Sequence, residues 1–411
     1  MKIRSRLLPL VLVAAAGLFT LQGCAPAGLM AAPSPADVVA AFPGDIRIMG
    51  PDHRFTDESI DRVARAFERR RAPLSLLALS GGGADAAFGA GALVGLTRAR
   101  VRPQFSVVTG VSAGALLAPY AFLGHEWDSQ LTDAYTSGRA EHLLQPRGLG
   151  AIFDSSVYRG RPLEQLVDHY LSDDMLQAIA GEAASGRLLL VATTNVDSGE
   201  TVIWDLGSIA LNGGDGAKAL FRDILVASAS VPGLFPPVVM RIRDDGGEYD
   251  EAHVDGTATV PFLVPTAFVQ PSRDAPGPPP SVYVMVDGRM RERAAATRLR
   301  FRTIVSRSIA AGMNHMMRTH LELTAATAQQ QGAILRYSAI PSAYPNLDPF
   351  DFRTSAMRAL FQYGYECAQG GRLWIASQPL SADPEGHPGN AAGPNIPCPA
   401  DDEFIRRIAA R

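Results

Sequence analysis

The chain has 411 residues, of which 47% are apolar and 19% charged, a balance that fills one large core or two ordinary ones and excludes a disordered chain. Its formal net charge of −3 comes without a long run of either sign, so nucleic acid is not expected as a partner. The three cysteines, Cys24, Cys367 and Cys398, lie in no Cys-x-x-Cys or Cys/His cluster, and neither a metal nor a cofactor is expected.

Lys2, Arg4 and Arg6 precede an apolar run over 7–19 and then Leu21-Gln22-Gly23-Cys24. This is the grammar of an export signal, and the run is shorter than the roughly 20 residues a membrane span needs. The tetrapeptide resembles a bacterial lipobox, departing from it at Gln22, where a small or aliphatic residue is usual. The resemblance implies a signal peptide over 1–23, cleavage before Cys24, a lipid anchor on Cys24, and, from Ala25, sorting to the outer membrane of the cell envelope. An ordinary secretory signal with an incidental cysteine is the alternative. Residues 24–44, rich in Ala, Pro, Gly and Ser, read as a tether that lifts the body from the membrane.

A single α/β domain is expected over 45–377. A polar helix over 56–71 leads to a buried strand over 73–79, a helix of small residues over 84–100, a strand over 105–109 and an apolar helix over 113–123. Strand, helix, strand, helix implies a parallel sheet with right-handed crossovers. Further strands are expected over 187–195, 200–205, 281–287 and 333–340. Helices are expected over 217–230, about 294–331 and 354–368. Pro and Gly crowd 379–399, so 378–411 reads as an irregular tail. In an oxidising compartment Cys367 and Cys398 can bridge the last helix to that tail; buried or free thiols fit the sequence equally well.

Two βα junctions carry chemistry. Gly110-Val-Ser112-Ala-Gly114 fits G-x-S-x-G between a strand and an apolar helix, the setting of a nucleophile elbow, where Gly110 and Gly114 leave room for neighbouring backbone. One unit earlier, Ser80-Gly81-Gly82-Gly83 presents N–H groups that no side chain obstructs. It lacks the Gly-Lys-Ser/Thr of a phosphate loop, and Ala86 breaks G-x-G-x-x-G, so an oxyanion hole beside Ser112 suits it better. A base is then required. Of the eight histidines, His315, His320 and His387 follow in the order of a Ser-Asp-His triad, but the first two fall in a long helix and the third in the tail. Asp255-Gly256 ends a short strand, and its carboxylate can accept the serine proton directly if desolvation raises its pKa.

These residues resemble the patatin-like phospholipases, through Ser80-Gly-Gly-Gly83, Gly110-Val-Ser-Ala-Gly114, Ala227-Ser-Ala-Ser-Val-Pro-Gly-Leu-Phe-Pro-Pro237 and Val254-Asp-Gly256. The resemblance implies a three-layer αβα domain with a mostly parallel central sheet, and a lipid acyl hydrolase acting on phospholipid or another acyl ester. It implies Ser112 as nucleophile, Asp255 as base, and Gly81, Gly82 and Gly83 as oxyanion hole, without histidine or metal. Two positions depart from the family. Ala84 and Asp85 stand where Arg or Lys usually follows the glycines, and Thr257 where Gly or Ala is commoner, which bears on activity and headgroup preference. An esterase with a Ser-Asp-His triad and a weakly catalytic lipid- or partner-binding lipoprotein are the rival readings.

Asp287-Gly288, at the end of an apolar strand, is the rival partner for Ser112. The acids Asp244, Asp245, Glu248, Asp250 and Glu251 match no EF-hand and read as a solvated loop. Met313, Met316 and Met317, and Phe350, Phe352, Phe361, Tyr363 and Tyr365, are expected mainly in the core, with some lining an acyl channel.

Overall fold

The computed structural model describes residues 47–49, 74–147, 155–214, 216–244, 247–265, 278–291, 299, 301–345, 347–376 and 396–402. The signal peptide, Cys24, the tether, the helix expected over 56–71 and most of the tail lie outside the described residues.

A run such as Leu76-Leu-Ala-Leu79 buries both faces only in the interior of a sheet covered on both sides. Strands β1 (Arg47–Met49), β2 (Ser75–Leu79), β3 (Val107–Val111), β4 (Leu188–Asn195) and β5 (Thr201–Asp205) come first in the chain. They are followed by β6 (Val238–Asp244), β7 (Gly247–Asp255), β8 (Ser281–Arg289), β9 (Ile334–Ile340) and β10 (Ile375–Ala376). The order is β1-β5-β4-β3-β2-β8-β9-β10, with β2 paired in parallel to β3 and β8, β3 to β4, and β8 to β9. The flanks β1, β5 and β10 run antiparallel to their neighbours.

The hairpin β6–β7 departs from expectation. Asp250 and Glu251 belong to β7 rather than to a solvated loop, with Glu251 buried and Asp250 Oδ1 accepting from Arg241 Nε at 2.9 Å. Charged residues have low strand propensity, but pairing with β6 and with the end of β4 supplies the ladder that overrides it.

Alternate side chains of each strand feed two cores. Leu77, Leu79 and Val108 join α1 (Ala87–Arg98), α2 (Ala113–Leu123) and α9 (Thr354–Gln369), while Leu76, Ala78 and Val107 join Leu321 and Ala328 of α8 (Phe301–Gln331). The result is a three-layer α/β domain. Between these elements lie α3 (Asp128–Thr136), α4 (Arg161–Tyr170), α5 (Asp173–Ala184), α6 (Leu206–Asn212) and α7 (Ala217–Ser228). Of these only α7 is expected from the sequence.

Cys367 of α9 and Cys398 are joined in a disulfide that closes a separation of 31 residues and ties 396–402 to the domain. Replacing both by serine is expected to lower the unfolding free energy by about 3 kcal/mol, read from urea titration of the two proteins.

Candidate active site

Ser112 sits between the last residue of β3 and the first of α2 at φ 56°, ψ −127°, a left-handed backbone that a serine adopts only under constraint. The glycines around it permit this crossing. A Cβ on Gly114 would stand 2.5 Å from the carbonyl oxygens of Leu79 and Ser80, and one on Gly110 would stand 2.5 Å from that of Gly114. The Ser112 N–H donates to Ser228 Oγ at 2.9 Å, and Ser228 Oγ donates to Ala192 O at 2.7 Å. Ser228 therefore clamps the elbow to the end of β4. It lies inside the Ala227–Pro237 motif, which was the available signal for it.

Asp255 reaches the elbow because β7 pairs with the final residues of β4, Asp255 standing opposite Thr193. Its N–H donates to Ser230 O at 2.9 Å and its carbonyl accepts from Thr194 Oγ1 at 3.0 Å, so the backbone is held on both sides. The carboxylate is fully buried. Ser112 Oγ donates to Oδ2 at 2.5 Å, while Oδ1 accepts from the N–H and Oγ1 of Thr257 at 2.8 and 2.7 Å. Burial raises the Asp255 pKa to about 6, against the pull of the Ser112 and Thr257 hydrogen bonds, which favour the charged form.

Thr257, the departure noted in the sequence, thus occupies one carboxylate oxygen and leaves the other for Ser112. Thr257→Val keeps the shape and removes the Oγ1 bond. It is expected to move the acidic limb of the pH–kcat/KM profile upward from about 6, by about half to one unit.

The glycine loop passes over this pair. Gly82 and Gly83 N–H groups make no hydrogen bond among the described residues, whereas that of Gly81 donates to Pro261 O at 3.3 Å. Gly81 contributes space instead: a Cβ there would meet Thr257 Cγ2 at 2.4 Å and Ser112 Cβ at 3.0 Å. Asp85 is buried under the loop and within electrostatic reach of Asp287.

Asp287 does not reach Ser112. Its Oδ1 accepts from the Gly89 N–H at 2.9 Å in the first turn of α1, and its own N–H donates to Ser80 Oγ at 2.9 Å. Its backbone carbonyl packs against Gly82. Burial and then Asp85 hold its carboxyl well above the usual range.

Among the described residues no histidine lines the cleft at Ser112. His253 is buried behind β4, with Nδ1 bonded to Thr193 Oγ1 and Nε2 to Glu251 Oε2, both at 3.0 Å. His315 and His320 lie in α8, where the His320 ring meets the Met316 carbonyl, and His53 and His387 lie outside the described residues.

From Ser112, Ala113 and Gly83 a cleft, partly open to solvent, runs between α2, α4 and the start of α5. Leu116, Leu163, Val167, Leu171, Met175 and Leu225 make its walls largely apolar. Of the aromatic cluster Phe350 and Phe352 line it, while Phe361 and Tyr363 pack in the core. Met313 is exposed and Met317 packs on the opposite face of the sheet.

Residues 77–266 match the family model of patatin-like phospholipases. Among solved structures, VipD from Legionella pneumophila is similar at 12% identity over 74% of this chain and 68% of that one, with a TM-score of 0.32. Human GIVD cytosolic phospholipase A2 is similar at 14% identity over 60% of this chain and 49% of that one, with a TM-score of 0.28. No curated protein matches the chain by sequence. The matched segment, a little under half of the chain, is similar to a patatin-like phospholipase domain and holds the glycine loop, Ser112 and Asp255.

Proposed function

We propose that Ser112 and Asp255 form the nucleophile and base of an acyl-ester hydrolase acting on phospholipid or a related lipid ester. The observation that carries this reading is the 2.5 Å hydrogen bond from Ser112 Oγ to a fully buried carboxylate. With a pKa of about 6, Asp255 is ionised at neutral pH yet a far better base than an exposed aspartate. Asp255 takes the Ser112 proton as Oγ bonds to the ester carbonyl carbon, and the carbonyl electron pair moves onto oxygen. The N–H groups of Gly82, Gly83 and Ala113 hold that oxyanion. Its collapse expels the alcohol, which leaves with the proton from Asp255, and a fatty-acyl Ser112 remains in the cleft. Water then gives a proton to Asp255 as it attacks the acyl carbon; the acyl–Oγ bond breaks, Asp255 returns the proton to Ser112 Oγ, and the fatty acid leaves.

The motif ending at Cys24 supports a lipid anchor at the bacterial envelope, and the Cys367–Cys398 disulfide accords with an oxidising compartment. Cys24→Ala is expected to block labelled-palmitate incorporation.

The mechanism is tested with a fluorophosphonate probe and p-nitrophenyl esters of several chain lengths. Labelling lost in Ser112→Ala, turnover lost in Ser112→Ala and Asp255→Asn, and both kept in Asp287→Asn and in single His→Ala variants support it. Loss in a His→Ala variant favours a triad, and an unlabelled, inactive wild type favours a binding protein.

A further inference from the structure

One short stretch of chain, from Ser228 at the end of α7 to Ser230, is bonded to both members of the dyad. Ser228 is wholly buried; its Oγ accepts from the Ser112 N–H at 2.9 Å and donates to Ala192 O at 2.7 Å. Two residues on, Ser230 O accepts from the Asp255 N–H at 2.9 Å. Ala192 lies on β4 just before Thr193 and Thr194, which pair with Asp255 and Val254, and its carbonyl oxygen would stand 2.5 Å from a Cβ on Gly256. Nucleophile and base are therefore held against the same few atoms. Ser112 needs such a hold, because a non-glycine residue at φ 56° relaxes unless its surroundings prevent it. A bond to its N–H fixes the peptide plane ahead of it, and with it the direction of Oγ.

We propose that Ser228 is a positioning residue for the reaction, its hydroxyl setting the reach from Ser112 Oγ to Asp255 Oδ2. This rests on the Ser112–Asp255 reading. Leu225, Ala229 and Val231 on either side of it line the cleft and Ser228 does not, so its loss acts on the reacting atoms rather than on the bound chain. The hydroxyl accepts and donates at once, which alanine cannot reproduce. Misplacing a reacting group by about 1 Å costs up to about 100-fold in rate.

The test measures pH profiles of kcat/KM on p-nitrophenyl esters. Ser228→Ala is expected to lower kcat/KM by about 10- to 100-fold and to slow fluorophosphonate labelling in parallel. It is also expected to move the acidic limb upward from about 6, because the Ser112 hydrogen bond holds the Asp255 pKa down against burial and weakens once Oγ drifts from Oδ2. Ser228→Thr keeps the hydroxyl and returns the limb to about 6, whatever its added methyl costs in stability. Ser208 of α6, also buried, donates to Asp205 Oδ2 at 2.7 Å, away from the elbow. Ser208→Ala is expected to lower the melting temperature without moving the limb. Wild-type kcat/KM in folded Ser228→Ala, an unmoved limb, or an equal shift in Ser208→Ala overturns the proposal. If Ser228→Ala does not fold, Ser228→Cys, which keeps the shape with weaker bonds, is read by the same limb: moved upward it supports the role, unmoved it overturns it. Asp255→Asn separates the two readings. Inactive Asp255→Asn beside an unchanged Ser228→Ala sinks only the positioning role, whereas fully active Asp255→Asn sinks the dyad and the positioning role with it.

Discussion

Asp255→Asn is expected to lower kcat/KM on p-nitrophenyl esters by about 10⁴-fold while making the folded protein more stable at neutral pH. The loss follows from the chemistry: an amide fills the same space against Thr257 but cannot take the Ser112 proton. The gain follows from linkage. The Asp255 pKa rises from 3.8 to about 6 on folding. Between those values the unfolded chain gives up its proton first, so rising pH draws the wild type toward the unfolded state. Stability from this group is complete below about 4, declines through the interval and is flat above about 6. The shift corresponds to about 3 kcal/mol at neutral pH. Asn does not titrate, so the gap between variant and wild type should open over that interval. Urea titrations at a series of pH values read it directly. A variant as active as wild type would sink the role of Asp255, and a stability gap that does not change with pH would sink the raised pKa.

The sequence makes part of this architecture readable because some segments admit one solution. Leu76 to Leu79 and 188–195 are too apolar and too short for anything but interior strands, and α9 begins where the apolar spacing starts, at Thr354. The elbow is readable because glycine on both sides of Ser112 has few other uses between a strand and a helix. The meeting of Ser112 with Asp255 is a different matter. It depends on a hairpin folding onto the last three residues of β4, and the acids before Asp255 hide that strand. The helices α3, α4 and α5 are missed, and with them part of the cleft wall. Their signals are present: Leu163, Leu166, Val167 and Tyr170 recur at helical spacing, and Ser172 accepts from Met175 N at 3.1 Å as an N-cap. These helices lie between β3 and β4, outside the alternating βα run, so nothing in the strand pattern calls for them. The same omission concealed the cleft.

Gly82→Ala is expected to cut kcat/KM by about 10²- to 10³-fold and to slow fluorophosphonate labelling in parallel, with Ser112 and Asp255 both intact. The reason is local and rigid. A Cβ at Gly82 would stand 1.9 Å from the Asp287 carbonyl oxygen and 2.7 Å from Asp287 Cβ, atoms fixed by β8 and by the Asp287–Gly89 hydrogen bond. Gly82 has φ 177°, extended backbone open to any residue, so the collision alone drives the effect. The loop must lift off β8, and its N–H groups move away from where the oxyanion forms. Gly81→Ala meets chiefly a threonine methyl, at 2.4 Å, and Gly288→Ala meets nothing within 4 Å. The three alanine variants should therefore rank Gly82 well below Gly81, with Gly288 near wild type. Overpacking at Gly82 also costs about 1–3 kcal/mol of stability, so thermal melts must accompany the kinetics. A folded Gly82→Ala protein with wild-type kcat/KM would show that the loop's backbone donors do not serve the reaction, and the oxyanion would have to be held by Ala113 and groups outside the loop.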